Sequence, residues 1–332
     1  MDFTLAGTVV QVRAPSSDRR TGIIAGGSAY LIWGLFPLYF HRLREIPALE
    51  LACLRIVLTS ASVWLVLLVQ NDHSWFRELL SDRHRLARVT LAGLMVTTNW
   101  LIYVWAAANG HVVDAAIGYF INPLVSVALG VFVLHERLRR NQKTALLFAA
   151  ASVAVLAVGY GKIPWVALSL ASSFGLYGFL KKTTGLDGVR ALAAETFTML
   201  PFGFLGLAVL AVRPAGIVVT SASASTVTLA LLVGIITAVP LTMFGIAATR
   251  IPLAMLGLLQ YLTPVGQLLC GVLVLHEHVS ATRWVGIALV LAALVTLAVD
   301  LVADLRTSTV PAQRLPNAQR PDPKVRPLQK KT

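Results

Sequence analysis

Two stretches of the sequence that begin 141 positions apart match each other without a gap. Gly118–Arg137 reads GYFINPLVSVALGVFVLHER, and Leu259–His278 reads LQYLTPVGQLLCGVLVLHEH. Identical residues coincide within these stretches and again far upstream, at Pro123/Pro264, Gly130/Gly271, Glu136/Glu277, Ser28/Ser169 and Gly34/Gly175. A single offset held over so much of the chain indicates a duplicated unit of about 140 residues.

Long apolar runs place this unit in a membrane. The chain is 57% hydrophobic and only 13% charged, whereas soluble proteins average about 25% charged residues. Its net charge of +13 resides in the loops and tails between the runs, where basic residues orient a membrane protein, and we therefore predict no nucleic-acid partner. Cys53 and Cys270 both lie inside apolar runs, so no disulfide framework is predicted. Residues 1–20 lack the basic start and continuous apolar core of a signal peptide.

Ten apolar runs predict ten transmembrane helices. They cover residues 22–40, 51–70, 89–108, 115–134, 144–160, 165–180, 196–212, 226–244, 253–275 and 284–301. Most approach the ~20 residues that a helix needs to cross the hydrocarbon core. The runs lack the alternation of barrel strands, so the predicted fold is an all-α integral membrane protein.

The duplication divides the chain into four segments. We predict a tail at residues 1–21, a five-helix repeat at 22–160, a second at 163–301, and a disordered basic tail at 302–332. A unit with an odd number of spans enters the membrane upside down the second time. The two repeats are therefore expected to be inverted, an architecture typical of secondary transporters that alternate access around a central site.

Basic residues predict the orientation. Of the 28 Lys and Arg residues, 22 lie on the side of the N-terminus and 5 on the opposite side. Because basic loops stay in the cytoplasm, both termini are expected there.

Polar side chains form one stripe on the fourth span and a matching stripe on the ninth. The stripes recur at the i, i+3 and i+7 positions of a helix and comprise Tyr119, Asn122 and Ser126, then Gln260, Thr263 and Gln267. One interpretation is a cavity wall from each repeat. The other is hydrogen bonding between helices, which contributes about 0.6 kcal/mol on average. Recurrence of the pattern with different residues favours the cavity.

Aromatic residues extend this predicted site. Asn99 and Tyr103 share a face of the third span, where Trp100 is central, and Trp33 is central in the first span. Membrane tryptophans usually anchor at the interface, and the central positions weaken that alternative. A pocket of aromatic rings with a few amides suits a neutral, amphipathic or aromatic solute.

Five further residues are candidates for mechanical or electrostatic roles. Pro123 and Pro264 each free a backbone carbonyl, which permits a kink or a hinge. Glu136 and Glu277 close their helices, and each could cap a neighbouring helix or pair with a loop arginine, as a structural or gate residue. Arg55 is an intramembrane charge, which indicates either a functional site or a side chain that extends toward Glu50 or the interface.

Motifs of other functional classes are missing from the sequence. It contains no GxxxxGK[ST] for nucleotide phosphates, no HExxH for zinc and no GxSxG for a nucleophilic serine. No Asp or Glu lies in the middle of a predicted span. We therefore predict no enzyme activity, catalytic residue, metal or cofactor.

The segments NWLIYVWAAANG (Asn99–Gly110), GYFINPL (Gly118–Leu124) and LGVFVLHERL (Leu129–Leu138) resemble the RarD group of EamA-type permeases in the drug/metabolite transporter superfamily. The resemblance spans residues 21–300. It implies a ten-helix inverted-repeat transporter of small organic solutes in the bacterial plasma membrane. Members are commonly labelled chloramphenicol-sensitivity proteins or permeases. His135-Glu136 stands where many of them carry Gly-Glu.

These observations predict a secondary transporter of a small metabolite or drug-like molecule, with the solute and the lipid bilayer as partners. A non-transporting scaffold or sensor is the first alternative, and a membrane-embedded lipid-modifying enzyme is the second. The substrate, the direction of transport, a coupling ion and a homodimer are left open. Replacing Asn99 or Gln260 by alanine is expected to abolish uptake without reducing expression.

Overall fold

The fold is described by a computed structural model over residues 16–71, 74–108, 112–158, 165–214, 216–274 and 281–308. These residues form helices and turns and contain no strand. The helices of the first half are α1 Ser16–Arg42, α2 Ala48–Val69, α3 Ser74–Ser81, α4 Arg83–Ala108, α5 Val112–Ala128 and α6 Arg140–Val158. Those of the second half are α7 Trp165–Thr183, α8 Gly188–Ala211, α9 Ala224–Arg250, α10 Leu253–Leu259, α11 Leu262–Leu269 and α12 Ala281–Ser308.

Within the described residues, each of the ten apolar runs falls on helical structure. By length and composition, four helices within the described residues can cross a membrane, at residues 18–42, 48–69, 188–211 and 224–250. Two shorter apolar helical stretches lie at residues 118–133 and 288–299. The predicted all-helical membrane class is confirmed at this level.

One short helix between spans was not predicted. The eight residues of α3 turn Trp75 and Leu79 inward, and the Trp75 ring stacks on Trp64 of α2 with 6.1 Å between ring centroids. This amphipathic helix is too short to cross the hydrocarbon core.

Helix α8 begins eight residues before the corresponding apolar run. Asp187 caps it, because its Oδ1 accepts hydrogen bonds from the backbone nitrogens of Val189 at 3.0 Å and Arg190 at 3.1 Å. Glu195 therefore lies inside a helix and is buried, whereas the sequence analysis placed it in a loop.

The two aligned prolines have different local effects. The ninth apolar run is divided into α10 and α11 just before Pro264, and Thr263 N donates to Gln260 O at 3.0 Å across the break. Helix α5 continues through Pro123 and ends in a π-helical turn at Leu129–Val133. A second π-helical turn, Cys270–Val274, follows α11.

Helices of the two halves pack against each other in reciprocal pairs. Helix α1 packs against α9 and α11, while α7 packs against α4 and α5; α2 packs against α8, and α6 against α12. One close approach joins Gly34 of α1 to Gly266 of α11, where a Cβ added to Gly34 would lie 3.0 Å from the Gly266 Cα. Glycine at both positions lets the two backbones touch.

Candidate functional site

A cavity of about 230 Å³ lies between the two halves. Its lining residues come from seven helices and from the break between α10 and α11, and they are mostly aromatic and amide side chains: Tyr30, Trp33, Phe36, Pro37, Phe40, Arg55, Asn99, Trp100, Tyr103, Tyr119, Asn122, Phe174, Leu241, Gln260, Thr263, Pro264 and Gln267. The volume is near the lower end for small-molecule sites, about 300 Å³.

All the predicted cavity residues except Ser126 line this cavity, as do Arg55 and Pro264. Their role in binding a solute stays a prediction. Phe36 and Phe40 were not predicted, although they follow Trp33 at i+3 and i+7 and so share its helical face. This aromatic stripe in the sequence could have predicted that both phenylalanines line the cavity.

Ser126 takes part in a helix contact. A Cβ added to Gly257 of α10 would lie 2.8 Å from the Ser126 Cβ and 2.9 Å from the Pro123 carbonyl oxygen. The face of α5 that carries these residues packs on α10, so Ser126 is buried outside the cavity lining and Pro123 acts at a helix crossing.

Two of the predicted polar residues also join helices. Asn99 Nδ2 donates to Leu170 O at 2.9 Å and to Ser173 Oγ at 3.0 Å, which ties α4 to α7. Thr263 Oγ1 donates to Tyr30 O at 3.0 Å, which ties α11 to α1. For these residues, cavity lining and interhelical hydrogen bonding both hold.

Two other amides present unused acceptors. The side-chain oxygens Oδ1 of Asn122 and Oε1 of Gln260 are buried and have no hydrogen-bond partner among the described residues. Both residues are at most 5% exposed and line the cavity. Buried polar groups are nearly always hydrogen-bonded, so these acceptors indicate a place for a donor from a bound molecule or water.

Arg55 projects into the cavity. Its guanidinium carbon lies 4.1 Å from the centroid of the Trp100 ring and 5.3 Å from that of Phe40. Its Nε donates to Thr237 Oγ1 at 3.3 Å. Glu50, the alternative partner, instead accepts from the backbone nitrogens of Val218 at 2.9 Å and Val219 at 2.8 Å.

An aromatic layer lies beneath the cavity on one side. Trp33 contacts Phe174 with 5.8 Å between centroids, and Tyr30 contacts Phe244 at 6.2 Å. Tyr177 stacks on Phe244 at 5.5 Å. Because Tyr177 and Phe244 are almost fully buried, this layer separates the cavity from the ends of α7 and α9.

A buried ion pair follows the aromatic layer. Lys181 Nζ lies 2.9 Å from Glu195 Oε2 and donates to the Tyr177 hydroxyl at 2.9 Å. Lys181 is 0% exposed and Glu195 is 1% exposed. Hydropathy alone does not reveal this group, because both charges lie between two apolar runs, although Tyr177 and Lys181 are one helical turn apart.

Glu136 caps the N-terminus of α10. Its two carboxylate oxygens accept hydrogen bonds from the backbone nitrogens of Leu253 and Ala254, each at 2.8 Å. The chain reaches this position because His135 adopts a left-handed conformation with φ of 54°. Gly130 leaves the necessary space, since a Cβ there would lie 2.5 Å from Glu136 Oε2. The partial positive charge of a helix N-terminus stabilises the carboxylate.

Lys182 extends this contact to the ends of α7 and α9. Its Nζ lies 3.8 Å from Glu136 Oε1 and donates to Ile251 O at 2.6 Å. We call Glu136, Lys182 and the backbone of residues 251–254 the Glu136 latch.

The start of α1 lies beside the Glu136 latch, because a Cβ on Gly22 would lie 2.8 Å from Ile251. We call this side of the molecule the near face. Glu277, the aligned acid, lies outside the described residues.

Comparison with known proteins identifies the family. The EamA-like transporter family model matches residues 20–158 and again residues 162–299. Protein RarD of Streptomyces exfoliatus is 43% identical over 88% of this chain and 92% of its own length. The uncharacterized transporter YojE of Bacillus subtilis is 40% identical over 80% and 90%, and protein RarD of Escherichia coli K12 is 31% identical over 89% and 99%.

A solved crystal structure shares the fold, with a TM-score of 0.66 at 18% identity over 84% of this chain and 97% of that chain. The names of the family and of the bacterial relatives indicate a transporter rather than an enzyme. With the apolar helices, they place the chain in the inner membrane as a multi-pass protein. The chain belongs to the EamA-like transporter family and is similar to RarD proteins over most of its length.

Proposed function

We propose that this protein is a secondary transporter that moves a small organic metabolite or drug-like solute across the bacterial plasma membrane by alternating access. Ten transmembrane helices in two inverted five-helix repeats, residues 22–160 and 163–301, would surround the site, with both termini in the cytoplasm. The observation that carries the proposal is the cavity of amide and aromatic side chains from both halves, separated from the near face by packed layers.

Reciprocal helix pairing supports the inverted repeats. In each half, the first membrane helix packs against the third and fourth helices of the other half, as α1 does on α9 and α11 and α7 does on α4 and α5. The second helices pair with each other, and so do the fifth. A two-fold relation exchanges the members of such pairs, and inverted repeats in transporters are related in this way.

The distribution of the cavity lining supports alternating access. In α1 the lining residues are confined to the later part, Tyr30 to Phe40, and the start of the helix lies at the near face. In α4 they lie in the second half of the helix, at Asn99, Trp100 and Tyr103, and in α5 they are Tyr119 and Asn122 in the middle of the helix. The cavity is thus displaced away from the near face, where the Glu136 latch joins the halves. Release on that face would require the latch and the aromatic layer to separate.

Solute counterflow in proteoliposomes tests the transport function. Vesicles preloaded with an unlabelled metabolite and antibiotic panel, one compound at a time, should accumulate the same labelled compound when the protein is present. Gln260→Ala should lower the initial rate at least about tenfold, because it removes a cavity-lining polar group. Gln142→Ala is the matched control, since Gln142 is a buried glutamine outside the cavity lining.

Absence of exchange for every compound, with lipid turnover in the same vesicles, would favour an enzyme and defeat the transport proposal. Equal rates for Gln260→Ala and the parent protein would instead remove this cavity as the solute site. Asn99→Ala is less informative than the sequence suggested, because it also breaks the hydrogen bonds between α4 and α7.

A further inference from the structure

We propose that the cavity selects small organic anions that carry an N–H or O–H donor away from the negative group. The inference rests on the proposed transport function and specifies its substrate class. Three observations support it: the charge balance of the cavity, the geometry of Arg55 and the two unpartnered amide oxygens.

The cavity has an uncompensated positive charge. Of the described residues that line it, Arg55 alone is charged, and neither Asp nor Glu is among them. Glu50, one helical turn away in sequence, is engaged by two backbone N–H groups. A buried charge without a counter-ion is costly in a medium of low dielectric constant, so this site favours an anion over a cation.

The orientation of Arg55 leaves one edge of its guanidinium available. The Trp100 ring covers a face of the group, and Nε is used by Thr237. The described residues provide no partner for Nη1 or Nη2. Guanidinium N–H groups lie in one plane and match the two oxygens of a carboxylate. The free edge can therefore donate two hydrogen bonds to the acid group of a solute. The aromatic residues of the cavity wall suit a flat or apolar remainder of that solute.

The two amide oxygens require a hydrogen-bond donor, whereas the guanidinium of Arg55 requires an acceptor. Asn122 Oδ1 of α5 and Gln260 Oε1 of the α10–α11 break are hydrogen-bond acceptors, and no described residue donates to them. A solute with only an acid group would leave them unsatisfied. A hydroxyl, amide or amine hydrogen on the solute would satisfy them, and leaving a buried acceptor unpaired weakens binding.

Structural packing is the competing explanation for Arg55. Cation–π contacts with Trp100 and Phe40 provide part of its stabilisation without any solute. They act on the ring-facing side of the guanidinium, however, and leave the paired edge N–H groups unused. The packing explanation also gives no role to the two amide acceptors in the same cavity.

A set of single-ring probes separates these explanations. Para-hydroxybenzoate has both the acid and the donor. Its methyl ester lacks the charge, para-methoxybenzoate lacks the donor, and para-hydroxybenzylamine carries a positive charge. Apparent affinities follow from the rise in thermal midpoint of the purified protein with probe concentration. We expect the acid to bind about 10- to 100-fold more tightly than its ester, and about 2- to 10-fold more tightly than the methoxy compound.

Variants assign the preferences to residues. Arg55→Met should bring the ratio of acid to ester affinity near one, and Arg55→Lys should retain part of it because the charge remains. Asn122→Leu and Gln260→Leu should reduce the preference for hydroxy over methoxy. Arg213→Met, at an exposed arginine outside the cavity, should change neither ratio. Ratios within one variant do not depend on its overall stability.

Equal binding of acid and ester by the parent protein, tighter binding of the amine, or an unchanged acid-to-ester ratio in Arg55→Met would overturn the inference. Equal binding of the hydroxy and methoxy acids would overturn its donor component. If counterflow occurs with neutral or cationic compounds while no anion is preferred, the transport function stands and the anion inference fails. If anions are preferred in binding but no compound is exchanged, the site stands and transport fails.

Discussion

Lys181 and Glu195 show how a residue's burial decides its energetic role. Both charges are removed from solvent, and each is the main partner of the other, with Tyr177 as a third member. Such a pair adds little over a well-packed apolar pair, but removing one member leaves a buried charge without compensation.

Glu195→Gln should therefore lower the free energy of unfolding by about 3–5 kcal/mol. The double variant Lys181→Met/Glu195→Leu removes both charges and should recover most of that loss. Thermal unfolding in detergent is the measurement, with expression in the membrane recorded for each variant. A single variant as stable as the parent protein would show that the pair is not energetically coupled.

At the scale of single residues, the sequence predicted which polar side chains share a helix face better than it predicted what surrounds them in the fold. The i, i+3, i+7 stripes include Asn122, Gln260 and Gln267, which line one cavity in the structure, and their role in solute binding stays a prediction. The same stripe misplaced Ser126, because helix periodicity gives a shared face and does not reveal that α10 covers part of it. Glu195 was misplaced because hydropathy detects where apolar residues begin, whereas an Asp187 cap starts the helix earlier.

The packing of helix α1 against α11 depends on glycine. At Gly34 its backbone touches Gly266 of α11, and Cys270 Sγ donates to Gly34 O at 3.6 Å beside this crossing. In the same helix, seven residues before Gly34, Gly27 has room for a side chain, since only Leu262 Cδ1 lies within 4.0 Å of an added Cβ.

Gly34→Ala should destabilise the protein by about 1–3 kcal/mol, because its methyl group must separate two backbones. Gly27→Ala is the matched control in the same helix and should be neutral or stabilising by up to about 1 kcal/mol, since alanine is the better helix former. Thermal midpoints of the purified variants provide the comparison. Equal midpoints for the two variants would contradict the close contact.

The sequence predicted most of the helices, but it did not predict where they begin and end. Apolar runs located every long helix, because burial in lipid demands continuous apolar surface. They missed α3, which is short and amphipathic, and the interruption between α10 and α11. Pro264 signals a disturbance there, but Pro123 in the continuous α5 shows that proline alone does not specify a break.

The whole molecule has packed layers toward the near face, where the Glu136 latch is one of the contacts between the two halves. The separation of these layers is the motion that alternating access would require. The latch therefore provides a direct way to change the balance between two conformations.

Glu136→Ala should increase the accessibility of the cavity from the near face severalfold. A suitable reporter is Gln267→Cys in a protein whose Cys53 and Cys270 are replaced by alanine, labelled with a membrane-impermeant thiol reagent in vesicles of each orientation. Asp187→Ala is the control, because it removes the cap of α8 at an exposed site without disturbing the latch. Unchanged near-face labelling in Glu136→Ala would mean that the latch does not hold the molecule closed.

The two sides of the Glu136 latch differ in how they respond to amino-acid substitution. One partner is a carboxylate that a single substitution removes, whereas the other consists of main-chain N–H groups of Leu253 and Ala254. Every amino acid except proline supplies that group. Substitutions other than proline at these two positions would therefore leave the donors in place. Inherited variation in the strength of the contact is expected mainly at Glu136, at Lys182, at Gly130 or in the turn that positions the carboxylate.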